Sequence, residues 1–115
     1  MRKRVRRKTR RRHVGIASFV RRYLDRDDIV CFEEGEKLYD KLKDYLSKPL
    51  KEMEDSAGNY RLSLHELRIN NKKFFVVVED FIDGITSIKY ISESRRRAEQ
   101  FMQTLKEEIE SSFLV

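Results

Sequence analysis

The sequence predicts an α+β domain. A three-stranded antiparallel meander over about residues 60–91 packs with two or three helices at about 14–25, 35–55 and 94–113, and 29–32 reads as an extra short strand. Three observations predict it. Between Asn59 and Ile91, runs rich in Tyr, Leu, Phe, Val and Ile are punctuated by Asn70-Asn71 and Asp83-Gly84, pairs that tolerate the positive φ of a type I′ turn. On either side of that stretch, apolar residues recur at helical spacing. The charge is segregated: residues 1–26 hold twelve Lys/Arg against Asp25 alone, +11, whereas residues 27–115 hold fourteen against nineteen acids, −5, which together give the net +6.

Residues 1–12 are read as a disordered arm and 13–115 as one α+β domain. The arm carries Arg2, Lys3, Arg4, Arg6, Arg7, Lys8, Arg10, Arg11 and Arg12. Its guanidiniums can pair with phosphates through forked hydrogen bonds, and displacing condensed counterions adds a salt-sensitive gain. A solubility tail, a nuclear-import signal and a targeting segment are the plainer readings. From His13 to Leu24, the residues Ile16, Ala17, Val20, Tyr23 and Leu24 give a short helix an apolar face. Arg21, Arg22 and Arg26 fall on its polar side and extend the basic surface. His13 is read as an exposed arm residue.

Ile29 to Phe32 is β-prone but short. Gly35 opens a helix whose stripe is Leu38, Tyr39, Leu42, Tyr45, Leu46, Leu50 and Met53. Pro49, which lacks an amide donor, predicts a kink or break, with Ser47 capping a second helical segment. The apolar face is expected to run through the break.

Two-residue turns set a register for the sheet. Asn70-Asn71 pairs Ile69 with Lys72, Leu67 with Phe74 and Leu64 with Val77; Asp83-Gly84 pairs Ile82 with Ile85, Val77 with Tyr90 and Glu79 with Ile88. One face then carries Tyr60, Leu62, Leu64, Phe75, Val77, Phe81, Ile88 and Tyr90. The other carries Leu67, Ile69, Phe74, Val76, Val78, Ile82, Ile85 and Ile91, with Arg61, Ser63, His65, Asp80, Ser87 and Lys89 among them. Both faces are apolar enough to need helices or a second copy of the chain as cover.

Ser92 or Ser94 caps the last helix, whose stripe is Ala98, Phe101, Met102, Leu105, Ile109 and Phe113. Arg95, Arg96 and Arg97 fill its first turn, where the helix dipole is positive and each exposed cation costs roughly 0.3–1 kcal/mol. A bound anion would supply the missing counter-charge. The predicted register brings Arg68, Lys72 and Lys73 to the same end of the sheet, so the six cations form a candidate phosphate site.

Other chemistry is sparse. No glycine-rich phosphate loop, nucleophile elbow or zincin motif occurs, and two histidines with one cysteine, Cys31, argue against a His/Cys metal site. No cofactor is expected. Glu79, Asp80 and Asp83 near a hairpin are read as solvated charges, and His65 as a satisfied, partly buried histidine. No run approaches the roughly 20 apolar residues of a membrane span, and no secretory signal is read. A lone cysteine fits a reducing compartment, so an intracellular location is expected: cytoplasm, or nucleus if the source is eukaryotic or viral.

Pro49-Leu50-Lys51, Gly58-Asn59-Tyr60-Arg61-Leu62 and Leu67-Arg68-Ile69 with the hairpin that follows resemble the RelE/ParE toxin superfamily over about forty residues. That resemblance implies helices followed by an antiparallel sheet with a basic cleft and, in some members, cleavage of mRNA on the ribosome. It would single out Arg61, Arg68, Lys89 and Arg95. The Arg-rich arm, the Asn-Asn turn and the absence of the usual His/Arg/Tyr pattern after the third strand depart from it.

Three function classes follow. The leading one is a small non-enzymatic nucleic-acid-binding protein, with RNA or a ribonucleoprotein favoured over DNA because arginine-rich segments commonly fold on structured RNA. The second is a ribonuclease toxin of the kind just described. The third is a homodimeric interaction or viral assembly module that uses the second apolar sheet face.

Overall fold

The computed structural model describes residues 15–30, 32–55 and 57–113. The arm residues Arg2, Lys3, Arg4, Arg6, Arg7, Lys8, Arg10, Arg11 and Arg12, together with His13 and Cys31, lie outside them.

The described chain is α+β, with helices on both faces of one antiparallel sheet. Helix α1 (15–21) is followed by a 3-10 turn (Asp27–Val30), α2 (Phe32–Leu42), a second 3-10 turn (Lys43–Tyr45), strands β1 (Lys51–Glu54), β2 (Tyr60–Ile69), β3 (Lys72–Phe81) and β4 (Thr86–Ser92), and α3 (Arg95–Phe113). The four strands form a meander in the order β1-β2-β3-β4.

The β2–β3 register is the one the Asn-Asn turn demands. Ile69 faces Lys72, Leu67 faces Phe74 and Leu64 faces Val77, with Asn70 at φ 50° and Asn71 at φ 67°. The third strand needs a correction. Val77 does pair with Tyr90, but Ile88 lies opposite Val78, and Glu79 faces Ser87. The loop is one residue longer than Asp83-Gly84 suggests: the Phe81 amide donates to the Ile85 carbonyl (2.9 Å) and the Gly84 amide to the Phe81 carbonyl (2.9 Å). Gly84 supplies the positive φ, 91°, of a three-residue hairpin loop. A bulge at Lys89 then takes up the extra residue and restores the register at Tyr90.

This shift moves Ile88 across the sheet. It packs with Leu67, Ile69, Phe74, Val76, Val78 and Ile91 under Val20, Ile29, Leu38 and Leu42. The opposite face, Tyr60, Leu62, Leu64, Val77 and Tyr90, lies under Ala98 and Met102 of α3, with Phe101, Leu105 and Ile109 beside them. Ile82, expected on a buried face, is 77% exposed at the loop tip. The chain therefore covers both faces of its sheet with its own helices.

The segment predicted to be helical over 35–55 is half extended. α2 ends at Leu42, and β1 occupies Lys51–Glu54 as a fourth strand. The helical run stops ahead of Pro49, since the 3-10 turn ends at Tyr45 and Leu46 is already extended, and Ser47 does not cap a new helix. Its amide donates to the Glu66 carbonyl (2.8 Å) and its Oγ accepts from the Glu66 amide (2.9 Å), which aligns the next residues with β2. The stripe therefore splits: Leu38 and Leu42 are buried, Tyr45 and Leu50 are exposed, and Met53, partly buried, packs against the core under α3. The expected strand at 29–32 is also corrected, since Asp27–Val30 is a 3-10 turn and α2 begins at Phe32. Near it, Leu24 forms a bridge to Ile91 and flanks the outer edge of β4.

Gly35 sits inside α2 rather than opening it, because α2 meets β4 there. A Cβ at this position would lie 2.5 Å from the Ile88 carbonyl oxygen and would also strike the Ser87 hydroxyl. Gly35→Ala is expected to lower stability by about 1–3 kcal/mol in urea unfolding. Helix propensity alone predicts the opposite sign, so a more stable variant would show that α2 does not approach β4 this closely.

Candidate nucleic-acid interface

Two groups of cations remain after the core is accounted for. The first gathers at one end of the sheet. Arg68 and Lys73 are register partners beside the Asn-Asn turn, and Arg95 begins α3 three residues after β4 ends at Ser92. Side-chain alternation puts Arg68 and Lys73 on the α3 side of the sheet and Lys72, opposite Ile69, on the α2 side.

This group is less naked than its sequence implies. Glu66 lies 3.5 Å from Arg68 and 4.0 Å from Lys73; Arg95 pairs with Glu99 at 2.9 Å, and Arg97 with Asp25 at 3.6 Å. Among the described residues, Lys72 and Arg96 form no ion pair within 4.0 Å. Ser94 is the cap: its Oγ accepts the Arg97 amide (3.2 Å), and Ser92 Oγ accepts the Ser94 amide (3.0 Å). Six cations thus stand against three carboxylates. The pairs are partly to largely exposed and worth at most about 1 kcal/mol each.

The second group lies on and beside α1. Arg21 and Arg22 are exposed, and neither has a carboxylate within ion-pair distance among the described residues. Arg26 differs, being held by Asp28 at 2.7 Å and Glu34 at 3.5 Å. A pocket of about 410 Å³ opens between α1 and α2, walled by Ile16, Phe19 and Leu42 with Arg22 and Lys41 at its sides. The Lys41 ammonium stands 4.6 Å from the Phe19 ring centroid and has no acid partner among the described residues. Sequence reasoning missed Lys41. Its only signal is a position next to the buried Leu38/Leu42 stripe, and that does not say α1 packs alongside.

The positions singled out by the toxin resemblance do not converge on an open basic cleft. Arg61 pairs with Glu54 (3.1 Å), Arg68 with Glu66 and Arg95 with Glu99. Lys89 is buried against Glu79 at 3.2 Å, each side chain 5% exposed. Burial pushes the Glu79 carboxyl above its ordinary value, with the Lys89 charge opposing that rise. His65 is satisfied, as expected. A carbonyl can only accept, so His65 Nδ1–H donates to the Ser47 carbonyl (2.8 Å), and Nε2 accepts from the Ser63 hydroxyl (2.8 Å). Asp80 accepts from the Thr86 hydroxyl.

Among the described residues, no group of three His, Cys, Asp or Glu side chains is placed to hold a metal ion, and no helix is long and apolar enough to cross a membrane. Comparison of the chain with protein-family models, curated proteins and solved structures finds no match in any of the three.

Proposed function

We propose that this chain is a small nucleic-acid-binding protein without catalytic activity of its own, acting on RNA or a ribonucleoprotein in preference to DNA. The observation that carries the reading is the charge of +11 over residues 1–26, attached to a body of −5. A polyanion is the partner that rewards such a segment, through phosphate pairing and counterion release. Arg21 and Arg22, exposed and without an acid partner among the described residues, extend that surface onto the folded body. Lys72 and Arg96 offer a second contact at the sheet end. There Arg68, Lys73, Arg95 and Arg97 would trade their carboxylates for phosphates.

The test is a set of titrations by fluorescence anisotropy at one salt concentration. Single-stranded RNA, duplex RNA and duplex DNA are each offered to the full chain, with polyglutamate as the competitor. Binding to nucleic acid that polyglutamate displaces poorly, and that favours RNA, is expected. Equal displacement by polyglutamate would reduce the protein to a general polyanion binder and remove the proposal.

A further inference from the structure

We infer that the pocket between α1 and α2 receives an unstacked base of a single-stranded nucleic acid; this rests on the nucleic-acid reading above and names where the body, rather than the arm, reads the ligand. Three features meet at this place. The pocket, about 410 Å³, presents the partly exposed Ile16 and Phe19, apolar groups that suit a base face, with the fully buried Leu42 beneath them. It is larger than one base needs and falls within the size range of small-ligand sites. Its charged neighbours, Arg22 and Lys41, have no acid partner among the described residues, unlike most cations of the sheet end.

The third feature is position. The pocket lies on α1, so strand phosphates engaged by the Arg-rich segment lead directly to it along the chain. Single-stranded recognition commonly combines a cationic track with an aromatic ring on which a base stacks. Phe19 supplies the ring. Its edge contact with Tyr23, with centroids 5.3 Å apart at 62°, helps hold it in place. Lys41, now over that ring, supplies a mobile ammonium that can move to a flanking phosphate. A duplex keeps its bases stacked and cannot fill the pocket, so the site selects single strands.

The experiment uses the full chain and an oligonucleotide carrying 2-aminopurine, single-stranded or annealed to its complement. Fluorescence of the base analogue, quenched in the strand by stacking on its neighbours, should rise on binding in the single strand as the base leaves them for the pocket. Phe19→Leu, which keeps the pocket apolar but removes the ring, should weaken single-strand binding about tenfold and abolish the fluorescence change. Duplex affinity and salt dependence should stay as they are. Lys41→Gln, at an exposed position, guards against a folding defect and should weaken single-strand binding severalfold. Unchanged single-strand affinity and fluorescence in both variants would overturn the pocket while leaving the arm's role standing. A full chain that binds neither form would defeat the nucleic-acid reading and the pocket with it.

Discussion

Lys89→Met is expected to destabilise the fold by about 3–5 kcal/mol, a large part of the roughly 5–15 kcal/mol that holds a domain of this size. The Lys89 ammonium lies 3.2 Å from Glu79, and both side chains are 5% exposed. Glu79 shares the sheet face of Val77 and Phe81, the face that packs under α3. Methionine fills the space but leaves a buried carboxylate without its counter-charge. Replacing both partners, Glu79→Leu with Lys89→Met, should recover most of the loss, because apolar pairs of similar volume are often neutral or better. Equilibrium urea unfolding of the four proteins measures the coupling. A double variant that loses the sum of the two single losses would show that the residues act independently.

The same pair sets a pH dependence whose sign can be worked out. Burial raises the folded carboxyl of Glu79 above its unfolded value. The fold therefore binds this proton more tightly than the unfolded chain does. This group's contribution is fully present below the ordinary carboxyl range and falls as pH rises through the shifted value. Lys89→Met removes the charge that opposes the shift, so its deficit should be smaller at about pH 5 than at about pH 7.

Deleting residues 1–12 should leave the unfolding midpoint where it is and cost roughly a thousandfold or more in nucleic-acid affinity at about 0.1 M salt. The segment contributes nine cations and, beyond Met1 and Val5, no apolar side chain. Its loss removes charge and almost nothing that a core could use. A fall of several degrees in the midpoint would make the arm part of the fold instead.

Local chemistry made most of the sheet legible in the sequence. Asn70-Asn71 allows the left-handed backbone at both positions, and ten residue pairs of β2 and β3 follow from it. Asp83-Gly84 looked equivalent, but Gly84 closes a three-residue loop, and parity failed until the bulge at Lys89 corrected it. β1 was hidden because Lys51-Glu52-Met53-Glu54 has little β propensity; its strand character comes from pairing with β2.

The charges were harder to read. The clustering of Arg95 to Arg97 was plain, but the carboxylates that answer it were not. Asp25 reaches Arg97 from a backbone at φ 55° after α1, and Lys89 comes to the face of Glu79 only because the longer loop shifts β4 by one residue. Only the tertiary fold brings these partners together. Glu66 is different: alternation and the Asn-Asn register already place it on the face of Arg68 and Lys73, so that neutralisation could have been found.

The central claim is that a polyanionic backbone, held chiefly by the first residues of the chain, is the ligand. The dependence of affinity on salt tests it most directly. Each phosphate contact on a duplex contributes about 0.9 to the slope of log affinity against log salt. Full-length protein is expected to show a slope steeper than about −5 on RNA, the signature of six or more contacts, and the chain lacking residues 1–12 should lose most of it. A full-length slope near zero, or a steep slope that the truncated chain keeps, would contradict the account.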